Sequence, residues 1–135
     1  MIILYPQLNN KLAVLVPCGN VSNSIKDIPE NVEYKVVESF NFDDSFFDAY
    51  EFDKNVGAKI NIEKAKEIHY NRLRSARKPL LEKLDLEFML AVEKGDINLQ
   101  KKIASKKQVL RDITLINLSN NLDEIKNTWP DVLTV

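Results

Sequence analysis

The chain has 135 residues, of which 44% are hydrophobic and 29% are charged, and its formal net charge is −1. This length is enough for one small domain or two compact units with a packed core. A net charge near zero excludes a global field that would draw the chain to nucleic acid or an anionic membrane, and a single cysteine, Cys18, excludes an intrachain disulfide.

Residues 1–60 are predicted to form a small antiparallel β unit. Short β-branched apolar runs at residues 2–5, 12–16 and 34–37 predict three strands, and residues 51–60 predict a fourth with a turn near Asn55 and Gly57. We expect these four strands to make one small sheet with one apolar face. The first run is too short for a signal peptide or a membrane span, so we expect a protein that is soluble where it is made.

The segment 40–53 combines five phenylalanines and Tyr50 with five acidic residues. A short helix over residues 44–50, capped by Asp43 or Asp44, is predicted in its middle. We interpret the segment as amphipathic, with its phenylalanines in the core and its acids in water. Calcium binding is the alternative hypothesis, but the glycine of an EF-hand loop is missing.

Residues 61–135 are predicted to form a helical hairpin followed by a short C-terminal helix. Asn61 is a suitable N-cap for a helix over residues 62–94, and Gly95 followed by Asp96 ends it and caps a second helix over about residues 97–115. Pro79 is expected to kink the first helix without ending it, because the apolar stripe continues in phase. Asn121 begins a third helix that ends near Trp129. The fold class is therefore α+β, with units 1–60 and 61–135.

The two predicted long helices have unequal lengths. At about 1.5 Å per residue they measure roughly 50 Å and 28 Å, so the second covers the first only back to about Ala76. The apolar stripe over residues 62–75 then needs another cover. The β unit, the third helix and another chain are the three alternatives, and this stripe is where a partner would be sought.

Few residues suggest catalysis. His69 is the only histidine, Cys18 is distant from it in sequence, and three glycines leave no phosphate-binding loop. A buried structural histidine beside a carboxylate is the simpler interpretation. We predict a protein that is not an enzyme and that uses no cofactor and no metal.

A basic run on the first long helix permits a second hypothesis, a nucleic-acid-binding or regulatory module that uses the face from Arg72 to Lys78. A solvated helix face is preferred, since a pI of about 5.9 and the lack of interleaved aromatic residues disfavour nucleic acid. Within this run, Arg77 is predicted to pair with Asp112 across the hairpin.

Residues 69–132 resemble the bacteriophage tail assembly chaperones that are encoded beside tail fibre genes. The resemblance is carried by Arg72 and Arg74, by Leu80-Leu81 followed by Asp85, by the string Lys-Gln-Val-Leu-Arg-Asp-Ile-Thr at residues 107–114, and by Trp129-Pro130. It implies a small phage protein that acts in tail or tail fibre assembly.

The function predicted from this resemblance is binding of a phage tail or tail fibre polypeptide through the helical arm. The protein would act in the host cytoplasm during assembly or remain in the virion tail as an accessory component, with self-association as a further expectation and no membrane partner. The residues predicted to bind the partner combine apolar anchors with arginines at the rim, as protein interfaces often do: Ile68, Arg72, Leu73, Arg74 and Trp129.

Overall fold

The computed structural model describes residues 1–134, which form two compact units. The first unit is Met1–Ala65 and the second begins at Lys66. The predicted α+β class is confirmed, because a small antiparallel sheet region is followed by two long helices and a short C-terminal helix. The division between the units lies five residues after the predicted one, within the first turn of the long helix.

A three-stranded antiparallel sheet is built from β1 (Ile2–Pro6), β2 (Leu12–Leu15) and β3 (Lys35–Val37). The order is β2-β1-β3, so β1 is the central strand. Its Leu4 is fully buried. A 3-10 helix, Leu8–Asn10, joins β1 to β2, and a short helix, α1 (Val21–Ile25), precedes β3 with Asn20 as its N-cap.

The predicted fourth strand is instead a separate hairpin of β4 (Tyr50–Asp53) and β5 (Gly57–Ile60). The expectation of one four-stranded sheet is therefore wrong. The carboxylate of Asp53 ends β4, since one of its oxygens accepts hydrogen bonds from the backbone N–H groups of Asn55 at 2.8 Å and Val56 at 3.2 Å. Gly57 opens β5 with a φ of 99°, which a residue with a Cβ rarely adopts.

The core of the first unit joins both sheets. Side chains from β1, β2, β4 and β5 form its buried cluster: Leu4, Leu12, Tyr50, Phe52 and Ala58. The aromatic rings of Phe40, Phe42 and Phe47 pack against Tyr50. The predicted short helix is a 3-10 helix, Asp44–Ala49, with Asp43 as its N-cap.

The long helix α2 (Ile62–Lys94) has 33 residues and continues through Pro79. Asn61 caps it, since its Oδ1 accepts the N–H of Lys64 at 3.2 Å. At its C-terminus Gly95 has a φ of 69°, and the N–H groups of Gly95 and Asp96 bond to the carbonyls of Val92 and Ala91. Such a left-handed glycine ends a helix by satisfying its last carbonyls.

The return helix α3 (Ile97–Asp112) is capped by Asp96, whose side chain accepts the N–H of Leu99 at 3.0 Å. A single 3-10 turn, Ile113–Leu115, extends it. After an extended stretch, α4 (Leu122–Asn127) begins at Asn121, whose Oδ1 accepts the N–H groups of Asp123 and Glu124. The caps at Asn61, Asp96 and Asn121 were all predicted from the sequence, because each depends only on a local pattern of residues.

Candidate partner-binding surface

The C-terminal segment covers the first half of α2 within the second unit. Tyr70 Oη donates to the carbonyl of Ile116 at 2.5 Å, and Lys66 Nζ donates to Asn120 Oδ1 at 2.8 Å. His69 Nε2 lies 2.7 Å from the carbonyl oxygen of Thr128. The β unit, the third helix and another chain were the three alternatives for packing against residues 62–75. These contacts come from the segment that carries the third helix.

His69 is the buried polar residue at the centre of this packing. Its side chain is 2% exposed. Because the carbonyl of Thr128 can only accept, His69 Nε2 must carry the hydrogen of their bond. The imidazole also meets the ring of Trp129 edge-on, with ring centroids 6.2 Å apart. His69 thus holds the end of the chain on the long helix, and its partner is a carbonyl rather than the carboxylate expected from the sequence.

Trp129 is the aromatic residue that this packing leaves partly open. One side of its indole contacts His69, while 40% of the residue remains accessible. Arg72 lies one turn beyond His69 on α2 and is half-buried, as is Ile68. We call Trp129 together with Ile68 and Arg72 the tryptophan surface.

The five residues predicted to bind a partner do not form one patch. Leu73 is fully buried, so its side chain is not accessible to a partner. Arg74 is exposed, and its guanidinium bonds to Glu67 and Asn71 on its own helix. Two positions apart on a helix, Arg72 and Arg74 point about 160° from each other. The spacing of Ile68, Arg72, Leu73 and Arg74 on a helical wheel already contained this signal.

The basic run does not form a single face either. Arg77 Nη1 donates to the carbonyl of Arg111 at 2.9 Å, and the carbonyl of Leu110 and Thr114 Oγ1 lie at 3.4 Å. Asp112 instead accepts a hydrogen bond from Gln108 at 2.8 Å. The predicted pair of Arg77 and Asp112 is therefore wrong. The guanidinium satisfies carbonyls that the end of α3 leaves without intrahelical donors.

We expect Arg77→Met to lower the free energy of unfolding by about 1–2 kcal/mol, because the carbonyls of Leu110 and Arg111 lose a charged donor. Urea unfolding monitored by circular dichroism measures this. In the double variant Arg77→Met/Asp112→Asn, the loss in free energy of unfolding should equal the sum of the losses in the two single variants. A coupling energy above about 0.5 kcal/mol between the two substitutions would instead show that Arg77 and Asp112 form an ion pair.

The far end of the hairpin carries apolar side chains in water. Leu86, Met89 and Leu90 are 60%, 62% and 47% exposed on α2. We call these three the distal patch. Val92 is also half exposed, whereas Ala91 beside it is buried. Sequence reasoning followed the stripe that faces α3 and missed the second stripe on the opposite side of α2.

A shallow groove of about 330 Å³ lies beside the distal patch in the second unit. Its apolar lining comes from Leu80, Leu84, Leu110 and Val132, and Lys83, Glu87 and Lys106 form its polar lining. The groove would accommodate a few apolar side chains of a peptide.

Acidic residues of the first unit mostly support local structure. Within residues 1–134, no group of three or more His, Cys, Asp or Glu side chains is arranged to hold a metal ion. Asp43 caps the 3-10 helix and Asp53 closes the β4–β5 turn. Phe46, in the middle of the proposed calcium loop, is fully buried.

Glu51 links the β4–β5 hairpin to the start of α2. Its carboxylate accepts a hydrogen bond from Asn61, a second at 2.9 Å from Asn10, and lies 3.6 Å from Lys64 Nζ. The bonds from Asn61 and Asn10, with a smaller contribution from Lys64, lower the pKa of Glu51 below its ordinary value of 4.5. The ionised carboxylate therefore fits the fold better than the protonated one.

A pH dependence of stability follows. Since the pKa of Glu51 is lower in the folded chain, its contribution is present above pH 4.5 and is lost as the pH falls through the folded value. Urea unfolding across this range should show Glu51→Gln less stable than the parent at pH 7 and the two converging at low pH. Glu38→Gln, at an exposed glutamate, is the control. Parallel curves for Glu51→Gln and the parent would contradict the prediction.

Compared with protein-family models, curated proteins and solved structures, the chain shows no match. Among the described helices, none combines the length and the apolar character needed to cross a bilayer.

Proposed function

We propose that this chain is a non-enzymatic bacteriophage tail protein. It binds a tail or tail fibre polypeptide through its helical arm, either during assembly in the host cytoplasm or as an accessory component of the virion. The sequence support is the resemblance carried by residues 107–114 and by Trp129-Pro130.

The observation that carries the proposal is the half-open indole of Trp129. Its ring is held against the buried His69, so little conformational freedom is lost when a partner covers it. Tryptophan and arginine are the residue types that most often contribute large binding energies at protein interfaces. Ile68 and Arg72 lie on α2 within one turn of His69 and are half-buried, so they would add an apolar and a charged contact.

The alternative, a nucleic-acid-binding module that uses residues 72–78, has weaker support. Arg77 donates a hydrogen bond to the carbonyl of Arg111 at the end of α3, and Arg74 forms an ion pair with Glu67 at 3.1 Å. Titrating the protein with duplex DNA at several salt concentrations tests this alternative. Binding that weakens steeply as the salt concentration rises would favour it.

Co-expression with the tail and tail fibre polypeptides of the same phage tests the main proposal. A soluble complex should co-purify, and Trp129→Ala should weaken it by about 2 kcal/mol or more, as at an interface hot spot. Leu115→Ala, at a leucine that is 75% exposed on the turn after α3, is the matched control. Equal loss with both variants, or no complex with any tail polypeptide, would exclude the proposal.

Mass spectrometry of purified virions then separates the two roles. A stoichiometric copy number supports an accessory component of the tail. Absence from the particle, together with a complex in the cytoplasm, supports an assembly role.

A further inference from the structure

The groove of about 330 Å³ in the second unit has an aliphatic floor. Its apolar lining comes from both long helices and from the 3-10 turn Asp131–Leu133: Leu80, Leu84, Leu110 and Val132. Leu110 is 2% exposed, and the other three side chains are half-buried. A ligand that fills this floor must therefore bring apolar side chains of its own.

Lysines surround the floor. Lys83 of α2 and Lys106 of α3 line the groove. Lys102 lies one turn before Lys106 and points within about 40° of it around α3. Glu87 is the acid in the lining, so three cations and one acid give a net charge of +2. We call the groove together with Lys83, Lys102, Lys106 and Glu87 the cationic groove.

The chain does not neutralise these charges itself. Within residues 1–134, the ion pairs involve none of the four charged residues of the cationic groove. Another flank of α2 differs, since Asp85, which points about 160° from Lys83, lies 2.5 Å from Lys107 Nζ of α3. From Ile97 to Arg111, α3 carries five basic residues and no acidic one. The positive charge beside the groove thus remains available to an acidic ligand.

We propose that the cationic groove binds an acidic amphipathic segment of a partner polypeptide. The apolar side chains of the segment enter the aliphatic floor, and its carboxylates lie against Lys83, Lys102 and Lys106. The inference goes beyond the tryptophan surface and rests on the proposed function in one respect, that the partner is a polypeptide. Charge complementarity of this kind favours the matching partner over others and speeds its association.

Nucleic acid matches the cationic groove less well than such a segment does. Phosphates would meet the three lysines but would leave the aliphatic floor uncovered. The lining formed by the described residues also has no aromatic ring on which a base could stack. An amphipathic acidic segment satisfies both the lysines and the floor.

Two synthetic peptides test the charge preference. Both have about twelve residues with leucines three and four positions apart, as in an amphipathic helix, and the other positions are glutamate in one and lysine in the other. Nuclear magnetic resonance of the isotopically labelled full chain follows each titration. The glutamate peptide should shift the amide signals of Leu84, Leu110 and Val132 with a Kd below about 1 mM, and the lysine peptide should bind about tenfold or more weakly. No shift with the glutamate peptide, or equal binding of both, would overturn the proposal.

Charge reversal provides a matched pair of variants. Lys83→Glu/Lys106→Glu changes two exposed side chains and takes the net charge of the cationic groove from +2 to −2, so it should prefer the lysine peptide. Lys78→Glu/Lys101→Glu changes the charge of the chain equally. Each of its exposed lysines lies five residues earlier and points about 140° away around its helix, so the parent's preference should remain. Equal effects of the two double variants would overturn the proposal.

The aliphatic floor has its own pair of variants. Val132→Ser removes part of the apolar lining without changing any charge, and it should weaken binding of the glutamate peptide about threefold or more. Val16→Ser, at a valine that is 67% exposed in the first unit, should bind this peptide as the parent does. Unchanged binding by Val132→Ser would overturn the role of the floor.

The complex with the tail polypeptide separates this inference from the proposed function. Lys83→Glu/Lys106→Glu should weaken that complex about tenfold. If Trp129→Ala weakens the complex and this double variant does not, the cationic groove is overturned and the proposed function stands. Peptide binding without any tail complex supports the groove and excludes the tail function. Duplex DNA binding or self-association that the double variant abolishes would assign the groove to another occupant and overturn the inference.

Discussion

Replacing Leu73 by alanine should lower the free energy of unfolding of the second unit by about 2–5 kcal/mol. Leu73 is fully buried, so the truncation removes apolar contacts and leaves a cavity. Thermal and urea unfolding followed by far-ultraviolet circular dichroism measure the loss. A reduction of this size is a large part of the stability of a small domain.

The control is the same substitution at Leu115, which is 75% exposed and should change stability by less than about 0.5 kcal/mol. Binding of the tail partner gives a second readout for Leu73. Because Leu73 is buried and not accessible to a partner, Leu73→Val should retain the complex while Trp129→Ala does not. Loss of binding with a stable, folded Leu73→Val chain would make Leu73 a direct anchor.

Replacing Gly57 by alanine should destabilise the first unit by about 2–4 kcal/mol, from left-handed strain combined with overpacking. The φ of 99° is unfavourable for any residue with a Cβ. A Cβ at this position would also lie 2.7 Å from Leu4 Cδ1 and 3.4 Å from Val37 Cγ1, within the core of the sheet. Urea unfolding by circular dichroism measures this loss as well.

Gly19 separates the two contributions. Its φ of 98° matches that of Gly57, but nothing lies within 4 Å of where its Cβ would stand. Gly19→Ala should therefore show the conformational strain alone, about 1–2 kcal/mol. Equal losses at Gly19 and Gly57 would mean that the sheet yields to the added methyl group without cost.

Local patterns were predicted well from the sequence. The caps at Asn61, Asp96 and Asn121 depend on one side chain and the next three residues, so the sequence contains all that is needed. The left-handed end at Gly95 is equally local. Asn61, Gly95 and Asp96 fix where α2 begins and ends and where α3 begins, and Asn121 fixes the start of α4.

Long-range choices were harder to predict. Arg77 was predicted to pair with the carboxylate of Asp112. Only the geometry at the end of α3 shows that its guanidinium donates to backbone carbonyls instead. The bond from His69 to Thr128 spans 59 residues, so no local pattern indicates it. Leu73 and Trp129 were both proposed as partner anchors because apolar character alone does not distinguish a buried side chain from an exposed one. The role of the five partner residues stays a prediction.

The contact of His69 with Thr128 also sets a delay during protein synthesis. The ribosome must add 59 further residues after His69 before its carbonyl partner exists. At about 5–20 residues per second, this takes roughly 3–12 s. Throughout that interval the nascent chain carries His69 without the C-terminal segment that it later contacts. Any partner or chaperone that acts co-translationally would meet this open form of α2 first.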